Sequence, residues 1–302
     1  MRDTKKRREP ASKGCVPAGG VVRVGPLAGI PEALCEFDLE PGQIFESAGL
    51  DLTQFAQADS EIPYIAASRL LARCAEITGC RHFGLLVGER AASSALGIAG
   101  FMLRCAPDIG TALRGLLQHF DLHDQGGVPT LLIKGDVTLL GYAIHQSRVE
   151  AADQIYDLAI AIACNIMRGL CGEHWNPTEV LFSCRHPQNL APYRSFFRAP
   201  FHFNAGQNAV VFPTHWLDEE IPTADLLLYR YLEREAVNLH GARVTNSIGE
   251  LRGLLRKSLA ARNCTAGEIA RQLCIHERTL NRRLRVQGTS FRRELDNTRQ
   301  QM

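Results

Sequence analysis

The 302-residue chain contains no apolar run long enough to cross a lipid bilayer, which takes about 20 consecutive apolar residues in a helix. Its most apolar stretch, residues 155–171, is interrupted by Asp157, Asn165 and Arg168, and this pattern predicts a packed helix instead. Residues 1–26 are basic and then rich in glycine and proline, without the apolar core of a signal peptide. We therefore expect a disordered lead-in, a cytoplasmic protein and no membrane partner.

The chain also lacks the common signatures of catalysis and of metal binding by cysteine. Its ten cysteines form no C-x-x-C pair and no regular spacing, so we interpret them as reduced thiols rather than zinc ligands. No G-x-S-x-G elbow, Walker A run or G-x-G-x-x-G fingerprint is present. We predict that the protein is not an enzyme and uses no cofactor.

One pair of histidines has a spacing that suits a metal ion. His119 and His123 are four residues apart, so that both imidazoles would share one helical face. No third ligand accompanies them, and Gly126-Gly127 indicates that the helix ends nearby, so we favour a structural role and predict no metal site. Asp121 and Asp124 could pair as acids, but a charged loop is the favoured interpretation.

An aromatic-rich region lies between residues 175 and 216, and hydrophobic core is its favoured role over a ligand pocket. Its members are Trp175, Tyr193, Phe196, Phe197, Phe201, Phe203 and Trp216. The nearby Arg185, Arg194 and Arg198 suit either a carboxylate effector, held by paired hydrogen bonds, or ion pairs with acidic residues of the same region. The sequence assigns no effector-binding residue.

Basic residues concentrate at the two ends of the chain. Residues 243–302 hold 13 lysines and arginines against 5 acidic residues, whereas residues 14–242 hold 15 against 25. A basic C-terminal segment on an acidic body fits DNA contact at one end and a small-molecule or protein partner at the other.

Hydrophobic patterning predicts mixed helices and strands before the basic segment. Residues 131–134 and 137–144, joined by Gly135-Asp136, predict a β-hairpin. Further strands are predicted over residues 180–184 and 209–212, and helices over residues 62–78, 95–102, 109–120, 151–170, 224–242 and 245–259. Because helices and strands do not alternate regularly, the pattern indicates an α+β domain.

Residues 265–288 have the pattern of two short helices joined by a tight turn. Thr265 and Glu268 stand in the S/T-x-x-E relation of a capping box, and the apolar residues that follow share one helical face. In the second helix, Leu280 and Leu284 lie one turn apart on the inner face, and arginines occupy most of the outward positions. This arrangement predicts a helix-turn-helix, whose second helix enters the major groove of DNA.

The run IARQLCIHERTLNRRLRVQGTSFRRELDNTR, residues 269–299, resembles the first helix-turn-helix of AraC-family transcriptional regulators. The matching positions are Ile269-Ala270, Leu273, Arg278-Thr279-Leu280, Arg282-Arg283-Leu284, Gly288, Ser290-Phe291 and Arg299. Cys274 stands where the family usually has glycine, and His276 replaces the usual serine or threonine cap. The family carries a second helix-turn-helix after a connecting helix, and residues 291–302 match only that connecting helix. We therefore expect an incomplete DNA-binding domain.

The preceding part of the chain resembles the arabinose-binding domain that is attached to one AraC subfamily. The matching pieces are AGLDL (48–52), FGLLVG (83–88), APDIGTALRGL (106–116), PTEVLFSCRHPQN (177–189), residues 197–203 and NAVVFPTHWLDEEIP (208–222). The resemblance covers residues 27–230 and implies a sensory and dimerisation domain. It does not establish arabinose as the effector.

The sequence thus predicts a lead-in over residues 1–26, an α+β sensory domain over 27–230, a linker over 231–244 and an all-α helix-turn-helix domain over 245–302. We expect a bacterial transcriptional regulator, a homodimer on double-stranded promoter DNA whose binding is modulated by a small-molecule effector or a partner. The alternative is a truncated ligand-binding or dimerisation protein with weak or no specific DNA binding.

The second helix of the motif carries the predicted DNA contacts. Arg278, Asn281 and Arg282 are expected at base edges, because arginine reads guanine and asparagine reads adenine through two hydrogen bonds. The side chains of Thr279, Arg283 and Arg285 are expected at phosphates or on the rim of the helix.

Overall fold

A computed structural model describes residues 20–185, 187, 189–260, 265–272, 277–286 and 288–300. The chain divides into two units, Gly19–Glu250 and Leu251–Met302, each with its own hydrophobic core. Within the described residues, no helix is long and apolar enough to cross a membrane.

The first unit combines short helices with two sheets. Its helices are α1 (Ile30–Cys35), α2 (Pro41–Ser47), α3 (Tyr64–Thr78), α4 (Phe83–Arg90), α5 (Ile98–Cys105), α6 (Ile109–His119), α7 (Ala152–Cys171), α8 (Ala191–Phe197) and the first part of α9 (Leu226–Ala260). Single turns of 3-10 helix lie at Gly25–Leu27, Leu52–Ala56, Ser93–Leu96, Phe120–Leu122 and Thr214–Asp218.

A small sheet pairs β1 (Val21–Arg23) with β2 (Glu61–Pro63), and a larger one has five strands in the order β3-β4-β7-β5-β6. The predicted disordered lead-in is therefore wrong for residues 21–26, because Val22 and Val24 are buried in the core. The five strands are β3 (Gly127–Lys134), β4 (Val137–Ile144), β5 (Glu179–Leu181), β6 (Phe201–His202) and β7 (Ala209–Pro213). Among these described strands, only β5 and β6 pair in parallel. The predicted mixed α+β character of this part of the chain is thereby confirmed.

The predicted hairpin is also confirmed. Strands β3 and β4 pair from Gly127 with Ile144 to Lys134 with Val137. The intervening Gly135 has a φ of 58°, a left-handed conformation that residues with a Cβ adopt only with strain.

Helix α4, which holds the FGLLVG run, packs closely on the long buried helix α7. A Cβ added to Gly84 would lie 2.0 Å from the carbonyl oxygen of Gln154, and one on Gly88 would lie 2.7 Å from Cβ of Ala161. The side chain of Gln154 accepts a hydrogen bond from the Gly84 N–H at 2.9 Å and donates one to the Arg81 carbonyl at 2.7 Å. The glycines are therefore required by the contact between the two helices.

We expect Gly84→Ala to destabilise the first unit by about 3 kcal/mol, because backbone must move to admit the methyl group. Urea unfolding followed by circular dichroism measures the change. Gly169→Ala is the matched control, since Gly169 lies in helix α7 and a Cβ added there would have no described atom within 4 Å. That control should be neutral or stabilising by up to about 1 kcal/mol. Equal stability of the two variants would contradict the packing argument.

The aromatic region is a packed part of the core, as favoured from the sequence. Phe182 stacks on Phe203 with ring centroids 5.2 Å apart, and Tyr193 meets Phe203 edge-on at 5.6 Å. Phe182, Tyr193 and Phe197 are each no more than 2% exposed. The nearby arginines are exposed, at Arg185, Arg194 and Arg198.

The second unit is helical throughout most of its described residues. It consists of the end of α9, followed by α10 (Ala266–Gln272), α11 (Glu277–Val286) and α12 (Phe291–Gln300). Its buried core residues are Leu251, Leu255, Ile269, Ala270, Leu280 and Leu284, with Leu254, Phe291 and Leu295 packed against them. The predicted core positions Leu273 and Ile275, and the departures Cys274 and His276, lie outside the described residues.

Helix α9 is one element where the sequence predicted two helices separated near residue 243. Residues 231–244, assigned to a linker, are helical. Gly241 weakens the periodicity there, but a single glycine costs a helix only about 1 kcal/mol and no proline interrupts α9. The helix supplies Tyr229 and Ala236 to the core of the first unit, and Leu251 and Leu255 to the core of the second.

Candidate nucleic-acid interface and ligand cavity

The first helix of the motif begins with the predicted cap. The N–H of Glu268 donates to Oγ1 of Thr265 at 3.1 Å, and the N–H of Ile269 donates to the Thr265 carbonyl at 3.0 Å. A Cβ on Gly267 would lie 3.4 Å from a carboxylate oxygen of Glu277, so the starts of α10 and α11 lie close together. Ala270, on α10, is buried in the core of the second unit.

Helix α11 buries one side and leaves another accessible. Leu280 and Leu284 are 3% and 2% exposed, Asn281 is half-buried and Arg285 is exposed. At 100° per residue, backbone positions 278, 282 and 285 lie on the side of the helix opposite the two leucines. The side chains of Arg278, Thr279, Arg282 and Arg283 lie outside the described residues.

The junction between α11 and α12 is held by a left-handed turn and a cap. Gly288 has a φ of 67°, its N–H donates to the Arg285 carbonyl, and the Thr289 N–H donates to the Leu284 carbonyl at 2.9 Å. Such a turn satisfies the last carbonyls of a helix. Ser290 then caps α12, since its Oγ accepts from the N–H of Arg293.

Glu294 ties this junction to α9. Its carboxylate accepts hydrogen bonds from Nε of Arg252 and from Oγ1 of Thr289, each at 2.8 Å. Burial disfavours the charged form, but the bonds from Thr289 and Arg252 outweigh it, so the pKa of Glu294 lies below its ordinary value. Its role was not predicted from the sequence, because nothing in its position signals burial.

A cavity of about 520 Å³ lies in the first unit where α6 ends and the β3–β4 hairpin begins. We call it the hairpin cavity. Its apolar lining is Leu117, Phe120, Val128 and Pro129, and its remaining lining is Asp121, Asp124, Gln125, Gly127 and His145.

The sequence favoured a charged loop at Asp121 and Asp124. The structure instead shows Asp124 as a buried carboxylate. Its Oδ1 accepts from the amides of Gly126 and Gly127 at 2.7 and 3.3 Å, and its Oδ2 accepts from the Tyr142 hydroxyl at 2.5 Å. The Tyr142 and Tyr64 hydroxyls lie 2.9 Å apart. Burial raises the pKa of Asp124 to about 6, against the opposing effect of these hydrogen bonds.

The glycine pair that suggested a helix end serves this network. A Cβ on Gly126 would lie 2.1 Å from the Tyr64 ring, and one on Gly127 would lie 2.1 Å from the Tyr142 hydroxyl. Both tyrosines therefore need a glycine beside them.

The two candidate metal histidines lie in different elements, because α6 ends at His119 and a 3-10 turn separates it from His123. The described residues contain no group of three or more histidine, cysteine or acidic side chains placed to hold a metal ion. His119 is instead buried, with Nδ1 3.2 Å from Nε2 of His240 on α9. Nδ1 of His240 lies 3.3 Å from Oδ2 of Asp121. Burial, and then His240, lower the pKa of His119.

A second buried carboxyl group lies on α7 at Asp157. The Tyr193 hydroxyl donates to its Oδ2 at 2.6 Å, whereas its Oδ1 has no hydrogen-bond partner among the described residues. Burial raises the pKa of Asp157 to about 8. In the sequence, Asp157 was visible only as an interruption of an apolar run.

Comparisons with known proteins agree with the resemblance drawn from the sequence. Residues 39–221 match the N-terminal arabinose-binding domain of AraC transcription regulators. The HTH-type transcriptional regulator VirS from two strains of Mycobacterium tuberculosis is 24% identical over 282 residues, which is 89% of this chain and 80% of VirS. The transcriptional regulator CdpR from Pseudomonas aeruginosa is 24% identical with a TM-score of 0.44, over 72% of each chain. Since the domain match covers more than half of its length, the chain belongs to the AraC family of DNA-binding transcriptional regulators with an N-terminal arabinose-binding domain.

Proposed function

We propose that the protein binds specific promoter DNA through α11, and that a small molecule bound by the first unit modulates this binding. The proposal is supported by the distribution of residues around α11. Leu280 and Leu284 are buried on one side, and positions 278, 282 and 285 on the opposite side are all arginine. A helix with one apolar and one basic side, preceded by a capped helix that packs against it, suits the major groove.

The proposed roles within α11 follow from chemistry and position. Arg278, Asn281 and Arg282 contact base edges, where arginine and asparagine each discriminate bases through paired hydrogen bonds. Thr279, Arg283 and Arg285 contact phosphates or the helix rim. The corresponding division of the chain is a sensory domain over 27–230, a linking segment over 231–244 and a DNA-binding domain over 245–302.

The proposal is tested by selection of binding sites from a random pool of DNA duplexes, followed by titration of the enriched sequence. We expect enrichment of one sequence, and an affinity that falls steeply between about 50 and 200 mM salt as phosphate contacts are screened. Failure to enrich any sequence, with only weak binding that disappears at higher salt, would support the alternative of a ligand-binding or dimerising protein without specific DNA recognition.

A homodimer is the proposed oligomer, with α9 as its contact surface. The side of α9 turned away from buried Tyr229 and Ala236 carries two exposed apolar groups one turn apart, with exposed fractions of 80% at Leu227 and 52% at Tyr231. Large exposed apolar groups in a row are typical of association surfaces. A second copy of the chain is the proposed occupant, because helix-turn-helix dimers read paired half-sites.

We expect the double variant Leu227→Glu/Tyr231→Glu to weaken self-association by about tenfold or more, because it places charge in an apolar contact. Sedimentation equilibrium of the full chain measures the change. Val237→Glu is the control, since Val237 is 56% exposed but lies on a different side of α9. Equal association by all three proteins would contradict this surface.

A further inference from the structure

Two carboxylates line the hairpin cavity. Its nine described lining residues include the carboxylates of Asp121 and Asp124, the imidazole of His145 and no lysine or arginine. The hydrogen-bond donors described for Asp124 are two backbone amides and a tyrosine hydroxyl, all neutral. His145 faces Asp124 from the same lining and favours its ionised form. Burying a carboxylate is costly all the same, and a positively charged ligand stabilises it.

We infer that the hairpin cavity binds an organic ammonium ion, with the cation at Asp121 and Asp124 and an apolar body against Leu117 and Phe120. The inference rests on the proposed function, since it names the class of effector and the place where it binds. Anionic ligands are repelled by the two carboxylates. The apolar half of the lining favours an ammonium on a hydrocarbon body over a small inorganic cation.

The same cavity has a direct connection to α9 through Asp121. One oxygen of this exposed carboxylate lies 3.3 Å from Nδ1 of His240, whose Nε2 lies 3.2 Å from buried His119. When an ammonium ion pairs with the Asp121 carboxylate, the contact between Asp121 and His240 is lost. Helix α9 also supplies Leu251 and Leu255 to the core of the second unit, so the ligand acts on an element that this unit requires.

Asp124 gives the binding a defined pH dependence. The ammonium ion binds its ionised form, and the pKa of Asp124 is about 6 because the group is buried. The titratable groups that face it are Tyr142 on β4, Tyr64 on α3 and His145 after β4. Ligand affinity therefore falls as the pH is lowered through about 6, and it falls again only at about pH 10, where an alkylammonium ion loses its proton.

Calorimetric titration of the full chain with 2-phenylethylamine tests the site, beside 2-phenylethanol, 3-phenylpropionate and L-arabinose. We expect saturable binding of the amine with one site per chain, and none of the other three. Asp121→Asn should lower the affinity for the amine by about tenfold or more, since a bond to a charged group is lost. Asp136→Asn, an exposed carboxylate at the tip of the same hairpin, should leave it unchanged. Absence of amine binding, or binding of arabinose alone, would overturn the inference.

The connection to α9 is tested with His240→Gln. Releasing Asp121 from the imidazole should strengthen amine binding severalfold, and an unchanged affinity would overturn the connection while leaving the site in place. DNA selection without the amine separates the two proposals. If the protein selects a specific DNA sequence but does not bind the amine, only this inference is overturned. If it binds the amine but selects no DNA sequence, only the proposed function is overturned.

Discussion

Asp157→Asn should make the protein more stable at pH 8 and remove a large part of the pH dependence of its unfolding. The native carboxyl group is 2% exposed, its Oδ1 has no partner in the described part of the chain, and its single described hydrogen bond comes from the Tyr193 hydroxyl. Ionisation in such surroundings is unfavourable, and the pKa is raised to about 8 from an ordinary value of 3.8. Asparagine keeps the shape and an oxygen acceptor for Tyr193 without a titratable group.

The direction of the effect follows from linkage between protonation and folding. A pKa that is higher in the folded state means that the folded protein holds a proton which the unfolded chain releases. The resulting stability is fully present below pH 3.8 and is lost progressively as the pH rises to about 8. The total is on the order of 5 kcal/mol for a shift of this size.

Urea unfolding of both proteins at pH 5 and pH 8 measures this contribution, because the difference between them cancels the other titrating groups. Asp124 contributes in the same direction up to about pH 6 and remains in both proteins. Glu173→Gln is the control, because Glu173 is an exposed carboxylate just after the same helix and does not act on Asp157. A pH profile for Asp157→Asn that parallels that of the parent protein would mean that Asp157 is ionised without cost.

Local patterns predicted the elements that local physics determines. The β3–β4 hairpin follows from two apolar runs joined by Gly135-Asp136, and the cap of α10 follows from Thr265 and Glu268. The buried Leu280 and Leu284 follow from their spacing of one helical turn. In each case the deciding interaction lies within a few residues along the chain.

Interactions between residues far apart in the sequence could not be predicted from local patterns. Asp124 is buried because Tyr64 and Tyr142 come from two other elements, and His119 meets His240 from 121 residues further along. The neighbouring Asp121 and His123 suggested local explanations, in which these side chains formed a charged loop or a metal pair. Such a loop was expected only because the sequence does not show which side chains fold over it.

Arg282→Ala should weaken specific DNA binding by about 1–3 kcal/mol and relax the preference for one base pair of the selected site. Backbone position 282 lies opposite Leu280 and Leu284 on α11. An arginine in the major groove can donate two hydrogen bonds, to O6 and N7 of guanine. Titration of the variant against the selected duplex, and against duplexes with each single substitution, measures both the affinity and the discrimination.

Two further arginine variants separate reading of a base from attraction to phosphate. Arg285→Ala should weaken binding to all duplexes about equally and reduce the slope of the salt dependence by about 1, because a phosphate contact releases one counterion. Arg299→Ala removes the same charge at an exposed position of α12, outside the helix proposed to contact DNA. It should change the preference at no base pair. If Arg282→Ala retained full discrimination and lost affinity only as Arg285→Ala does, position 282 would contact the DNA backbone, and base reading would fall to Arg278 and Asn281.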